Sequence, residues 1–222
     1  MAELVHLVRE PAGEPDGALI LNHGRGTDER DLHGLLDALD PERRLVGVTP
    51  GAPLTGVPPG GRHWYLVPRV GYPDAATFAA SYASLSSFLD DFLAARGIPW
   101  GRAVIGGFSM GAVMSYAVAL GGDRPSPAAI LAFSGFIPTV EGWRPALEGR
   151  DGLPVLIHHG RLDPIIEVEF GRRARDLLVA AGLNVDYVET DAGHSLPPPV
   201  VERARALVGS RLEAAGPASA AS

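Results

Sequence analysis

The residue types for nucleophilic acyl chemistry recur at loop positions in this chain. Gly107-Phe108-Ser109-Met110-Gly111 puts a serine between two glycines, His159-Gly160-Arg161-Leu162-Asp163-Pro164 carries a carboxylate, and Ala192-Gly193-His194-Ser195 carries a histidine. A serine hydroxyl attacks a carbonyl only if a general base takes its proton, and histidine has the pKa suited to that task near neutrality. Of the seven histidines, His194 is read as the base, because nucleophile, acid and histidine then follow one another in the order found on parallel sheets with a nucleophile elbow. Asp163 is read as the acid, holding the imidazole tautomer and stabilising the imidazolium. Glu167 and Asp191 are the competing carboxylates. Asp191 shares a short turn with His194 and is expected to close that turn with its own side chain.

Attack by Ser109 would create an oxyanion, which calls for two preorganised donors. One is the amide of Met110, at the start of a helix where no carbonyl one turn back can take it. The second is expected from a loop after an earlier strand. His23-Gly24-Arg25-Gly26 follows the apolar run Ala18-Leu19-Ile20-Leu21 and makes the Arg25 amide the candidate. Trp64, Tyr65, Phe136, Ile137 and Trp143 are candidates for a substrate pocket, the first two from a Gly- and Pro-rich loop between Pro50 and Pro73.

These loops need strands to carry them. Continuous apolar runs at 18–21, 45–48, 102–106, 128–133 and 154–158 read as strands covered on both faces, and Asn184–Glu189 alternates as an edge strand. Leu4–Val8 is a short edge-strand candidate. Helical patterns are expected over Asp31–Leu39, Asp74–Arg96, the residues after Ser109, Glu167–Ala181 and Pro199–Leu212. Strand and helix alternate, which predicts a mostly parallel α/β sheet flanked by helices on both faces, with ligands at the carboxyl ends of its strands. No internal repeat or long linker divides the chain, so residues 1–213 are expected to form a single domain and 214–222 a disordered tail of small residues.

Composition narrows the function. The 222 residues are 46% hydrophobic and carry a net charge of −7, which disfavours nucleic acid as a partner. The densest basic group, Arg172-Arg173-Ala174-Arg175, reads as a solvated helix face. Absence of cysteine excludes disulfides and a thiol nucleophile. His158 and His159 are neighbours on a strand and point to opposite faces, so they cannot chelate one metal ion together. No Gly-x-Gly-x-x-Gly follows a strand, and no cofactor is called for. Neither a signal segment nor a membrane-length apolar run is evident, so a cytoplasmic protein without membrane insertion is expected. A homodimer is compatible with the sequence.

Taken together, the His-Gly-Xaa-Gly loop, Gly-Phe-Ser-Met-Gly, the Leu-Asp-Pro loop and the late Gly-His resemble an α/β-hydrolase. The short chain without a large lid resembles its phospholipase/carboxylesterase branch, which includes acyl-protein thioesterases. The likeness runs from Ala18 to Leu212. It implies a triad of Ser109, Asp163 and His194 with the Arg25 and Met110 amides, and hydrolysis of a small-molecule ester through an acyl-enzyme. Short-chain or aryl esters are favoured; lysophospholipid or acyl thioester cleavage and a non-catalytic ligand-binding relative are the alternatives. Met110 stands where that branch commonly has Gln, and Arg25 where it often has an apolar residue.

Overall fold

The computed structural model describes residues 4–122 and 124–215. Strands β1 (His6–Arg9), β2 (Gly17–Asn22), β3 (Leu45–Pro50), β4 (Ala103–Phe108), β5 (Ala129–Phe133), β6 (Pro154–Gly160) and β7 (Asn184–Thr190) form one sheet in the order β1-β3-β2-β4-β5-β6-β7. Only β1 runs antiparallel, pairing with β3 at one edge; every other pair is parallel.

β2 to β6 are buried, save the half-buried Phe108 at the end of β4, because helices cover both faces. Alternate strand residues feed two cores. Ile20, Val48, Ile105, Ile130, Val155 and Ile157 face α2 (Ala75–Ala94), α3 (Met110–Leu120) and α4 (Val168–Ala180), whereas Leu19, Leu21, Val104, Leu131 and Leu156 face α1 (Leu35–Leu39) and α5 (Pro198–Ala215). β7 is half exposed, consistent with the alternation that marks it as an edge.

Helix ends follow local chemistry. Asp74 caps α2 by accepting the Thr77 amide at 2.9 Å, and Gly97 at φ +64° ends the run beyond it. The helix expected over Asp31–Leu39 is shorter than its apolar stripe. Residues 31–34 form successive turns, with Leu35 N–H bonded to Leu32 O and Leu36 N–H to His33 O, and regular helix begins only at Leu35. The edge strand expected over Leu4–Val8 lies at His6–Arg9, its register set by pairing with β3. At the other end α5 continues through Ala215, past the Ala214 at which the tail was expected to start; residues 216–222 of that tail lie outside the described residues, as do Met1–Glu3.

Chain connections from β2 and β4 leave in opposite directions, β2 toward β3 and β4 toward β5. Two adjacent strand ends whose connections diverge leave a crevice between them. The loops holding His23–Thr27 and Ser109 emerge there.

Candidate active site

The turn at Ser109 is strained and tightly packed. Ser109 has φ +56° and ψ −120°, joining β4 directly to α3, and its amide donates to Phe133 O at 2.8 Å. A non-glycine residue held at such a φ costs about 1–3 kcal/mol and persists only where its surroundings over-determine it. Here two glycines permit the fit. A Cβ on Gly111 would lie 1.9 Å from Asn22 O, and one on Gly107 would lie 2.6 Å from the same oxygen, so α3 can enter against the end of β2 only if both positions lack side chains. Asn22 Nδ2 donates to Ser115 Oγ at 2.9 Å and fastens that contact.

The structure brings three of the sequence-derived residues into one hydrogen-bonded line. His194 Nε2 is 2.9 Å from Ser109 Oγ, and His194 Nδ1 is 2.6 Å from Asp163 Oδ2. Asp163 is buried, and its other oxygen accepts the amides of Ile165 (2.8 Å) and Ile166 (2.9 Å). Burial alone would push its carboxyl up, but the bonds from His194 and from the amides of Ile166 and Ile165 outweigh it and hold the group below its ordinary pKa. An ionised Asp163 accepts only, so Nδ1 of His194 carries the proton and Nε2 is free to accept from Ser109.

The competing carboxylates lie elsewhere. Asp191 does not close its own turn: its Oδ1 accepts from Arg161 Nε and Nη2 at 2.9 and 2.7 Å, and its side chain is 81% exposed. Glu167 occupies the N-cap position of α4 without a side-chain capping bond.

His159, in sequence only a candidate metal ligand, supports the site from behind. Its Nε2–H donates to Ile166 O at 2.8 Å and lies 3.6 Å from Asp163 Oδ2, and its ring packs against Gly171 of α4, where a Cβ would come within 2.8 Å of Nδ1. Burial lowers its pKa, against the opposing bond to Ile166 and the Asp163 charge, so the ring is neutral. It thereby braces the loop whose amides hold Asp163. His158 bonds through Nε2 to Thr190 Oγ1 at 3.0 Å, so the two histidines serve different partners.

The amides of Arg25 and Met110 donate to no backbone carbonyl among the described residues, and both residues line the cavity over Ser109. The loop that carries Arg25 is rigidly held. His23 Nδ1–H donates to Gly24 O at 2.7 Å while its Nε2 accepts the Ala52 amide at 3.0 Å, and burial lowers its pKa. Trp64 Nε1–H donates to His23 O at 3.0 Å, with its ring 5.4 Å from that of His23. Trp64 is therefore fully buried beneath this loop and is not a wall of the cavity, a correction to its reading as a pocket residue. Met110 Sδ accepts the Trp64 amide at 3.2 Å, so this methionine side chain ties the two loops together.

The cavity over Ser109 has a volume of about 510 Å³ and is walled largely by apolar groups, among them Tyr65, Val67, Phe108, Phe136, Ile165 and Leu196. Tyr65 and Phe136, two of the residues expected at a pocket, line this cavity. Ile137 and Trp143 do not touch this cavity; they line a second cleft of about 1070 Å³ beside it.

A mostly parallel sheet flanked by helices, with a strained serine turn at a switch point, defines the α/β-hydrolase class. Residues 5–208 match the phospholipase/carboxylesterase family, and the chain belongs to it, a family of hydrolases acting on esters. The acyl-protein thioesterase 1 of Debaryomyces hansenii is 30% identical over 208 residues, covering 84% of this chain and 88% of that protein. Among solved structures, the Bacillus cereus carboxylesterase superposes with a TM-score of 0.82 at 22% identity, covering 95% of each chain. Esterase PE8 superposes with a TM-score of 0.79 at 27% identity, covering 94% of this chain and 99% of that one. Among the described residues no helix is long and apolar enough to cross a membrane.

Proposed function

We propose that this enzyme hydrolyses short-chain or aryl carboxylic esters through an acyl-enzyme on Ser109, with His194 as general base and Asp163 as its orienting acid. The continuous line of hydrogen bonds from Ser109 Oγ through His194 to Asp163, 2.9 and 2.6 Å long, carries this reading. His194 Nε2 takes the hydroxyl proton as the serine oxygen adds to the ester carbonyl. The oxyanion so formed lies against the Arg25 and Met110 amides. Collapse expels the alcohol, which takes its proton from the His194 imidazolium, and water then repeats the sequence on the acyl-enzyme. An apolar cavity of about 510 Å³ suits a small acyl or aryl group.

A series of 4-nitrophenyl esters of rising acyl length tests the reading, together with labelling by a fluorophosphonate. Hydrolysis with a short-chain optimum and labelling abolished by Ser109→Ala are expected, the substitution lowering kcat by about a millionfold. Absence of both hydrolysis and labelling defeats it. The thioesterase relative supports thioester cleavage as a second reading by the same mechanism. Matched oxygen and thioesters separate the two, the second reading requiring a higher kcat/KM on the thioester.

A further inference from the structure

The second cleft shares Arg69, Val70, Gly71, Phe136 and Ile165 with the cavity over Ser109, so the two form one continuous depression. Several of its charges are arginines. In this acidic chain arginines are typically matched to carboxylates: Arg9 to Asp40, Arg161 to Asp191, Arg172 to Glu189, Arg203 to Asp186. Arg69, Arg144 and Arg173 all line the second cleft, and none of them forms an ion pair among the described residues. Arg69 and Arg173 rest on aromatic rings instead, 3.7 Å from the centroid of Tyr72 and 4.4 Å from that of Phe170. A guanidinium stacked in this way is oriented by the ring while its in-plane N–H donors stay available to a planar anion.

Glu141 and Glu167 line the same cleft. Three guanidiniums against two carboxylates leave one positive charge, which matches a carboxylate better than a doubly charged phosphate. Phe136, Trp143 and Phe170 supply apolar wall to the cleft, and Phe136 also lines the cavity over Ser109, which suits a hydrocarbon or aryl spacer.

We propose that this cleft binds a carboxylate at the end of the ester remote from the scissile bond, making monoanionic esters the preferred substrates. The proposal rests on the ester-hydrolase reading of Ser109. Its test compares 4-nitrophenyl adipate monoester with its methyl-capped diester, placing the charge on the acyl half. The hexanoyl esters of 4-hydroxybenzoate and of methyl 4-hydroxybenzoate place it on the alcohol half. A kcat/KM ratio of about tenfold in favour of the charged member is expected in at least one pair at low salt. That ratio is expected to fall toward one in the Arg69→Gln/Arg173→Gln variant and at high ionic strength. Neutral esters hydrolysed as well as charged ones in both pairs would overturn the proposal and leave the esterase reading standing. A phosphate-terminated ester outperforming the carboxylate would overturn it too. Should no ester be cleaved, the esterase reading fails, and calorimetry with monomethyl adipate decides the cleft separately. Binding stronger than that of dimethyl adipate and lost in the double variant sustains the site, and equal or absent binding removes it.

Discussion

The two aspartates near His194 show how a side chain's surroundings assign its role. Asp163 is buried, receives two backbone amides and faces the imidazole; Asp191 is exposed and neutralised by Arg161. Asp163→Asn should therefore lower kcat by about ten-thousandfold, because the amide stabilises the wrong imidazole tautomer. Asp191→Asn should leave kcat within about twofold, since an exposed ion pair contributes little. Steady-state kinetics on one ester separates the two, and the reverse ranking would reassign the acid. Sequence order was sufficient to favour Asp163, but the Arg161 partner of Asp191 was not legible, because it comes from a neighbouring strand-end loop.

At the scale of elements, two strand-to-loop junctions do the positioning. At the first, β4 turns into α3 against the end of β2, a contact that leaves no volume for a methyl group at Gly111. Gly111→Ala should destabilise the fold by about 3 kcal/mol or more, at or beyond the upper end of what overpacking a buried site costs. Urea unfolding, or failure to recover folded protein, reads this out; a change below about 1 kcal/mol would mean that α3 can shift freely. The second junction is the Arg25 loop, held from below by Trp64. Trp64→Phe keeps most of the apolar volume but removes the bond to His23 O, so kcat should fall about tenfold with little change in KM if the loop's amide acts mainly on the transition state. The Gly-Xaa-Ser-Xaa-Gly spacing made the first junction readable from the chain. Which of Trp64 and Tyr65 faces the cavity was not, since neighbouring loop residues have no fixed alternation and their orientation depends on what packs beneath them.

Over the whole molecule, buried neutral histidines set the response to acid. Burial, then the neighbouring His159, lowers the His158 pKa to about 4, against the opposing charge of Asp163; His23 and His159 are lowered as well. A histidine in the unfolded chain titrates near 6.5. Between pH 6.5 and 4 the unfolded chain thus holds a proton at position 158 that the native protein does not, and stability must rise with pH across that window. The thermal midpoint should fall progressively from pH 6.5 to pH 4, with a shallower slope in His158→Gln, which can still bond Thr190. Midpoints flat over that range would contradict neutral burial.

The linear order of apolar runs and loop motifs was enough to determine a mostly parallel α/β sheet and to single out Ser109, Asp163 and His194 as residues that meet, because each sits in the loop after a strand and a parallel sheet gathers such ends at one edge. The helix from residue 31 and the tail from Ala214 were misjudged at their boundaries, where local hydrogen bonds rather than periodicity decide. Only the tertiary structure revealed His159 bracing the Asp163 loop, Met110 tied to Trp64, and a second cleft opening from the first. Each depends on side chains contributed by segments far apart in sequence, and no spacing along the chain encodes the distance between them.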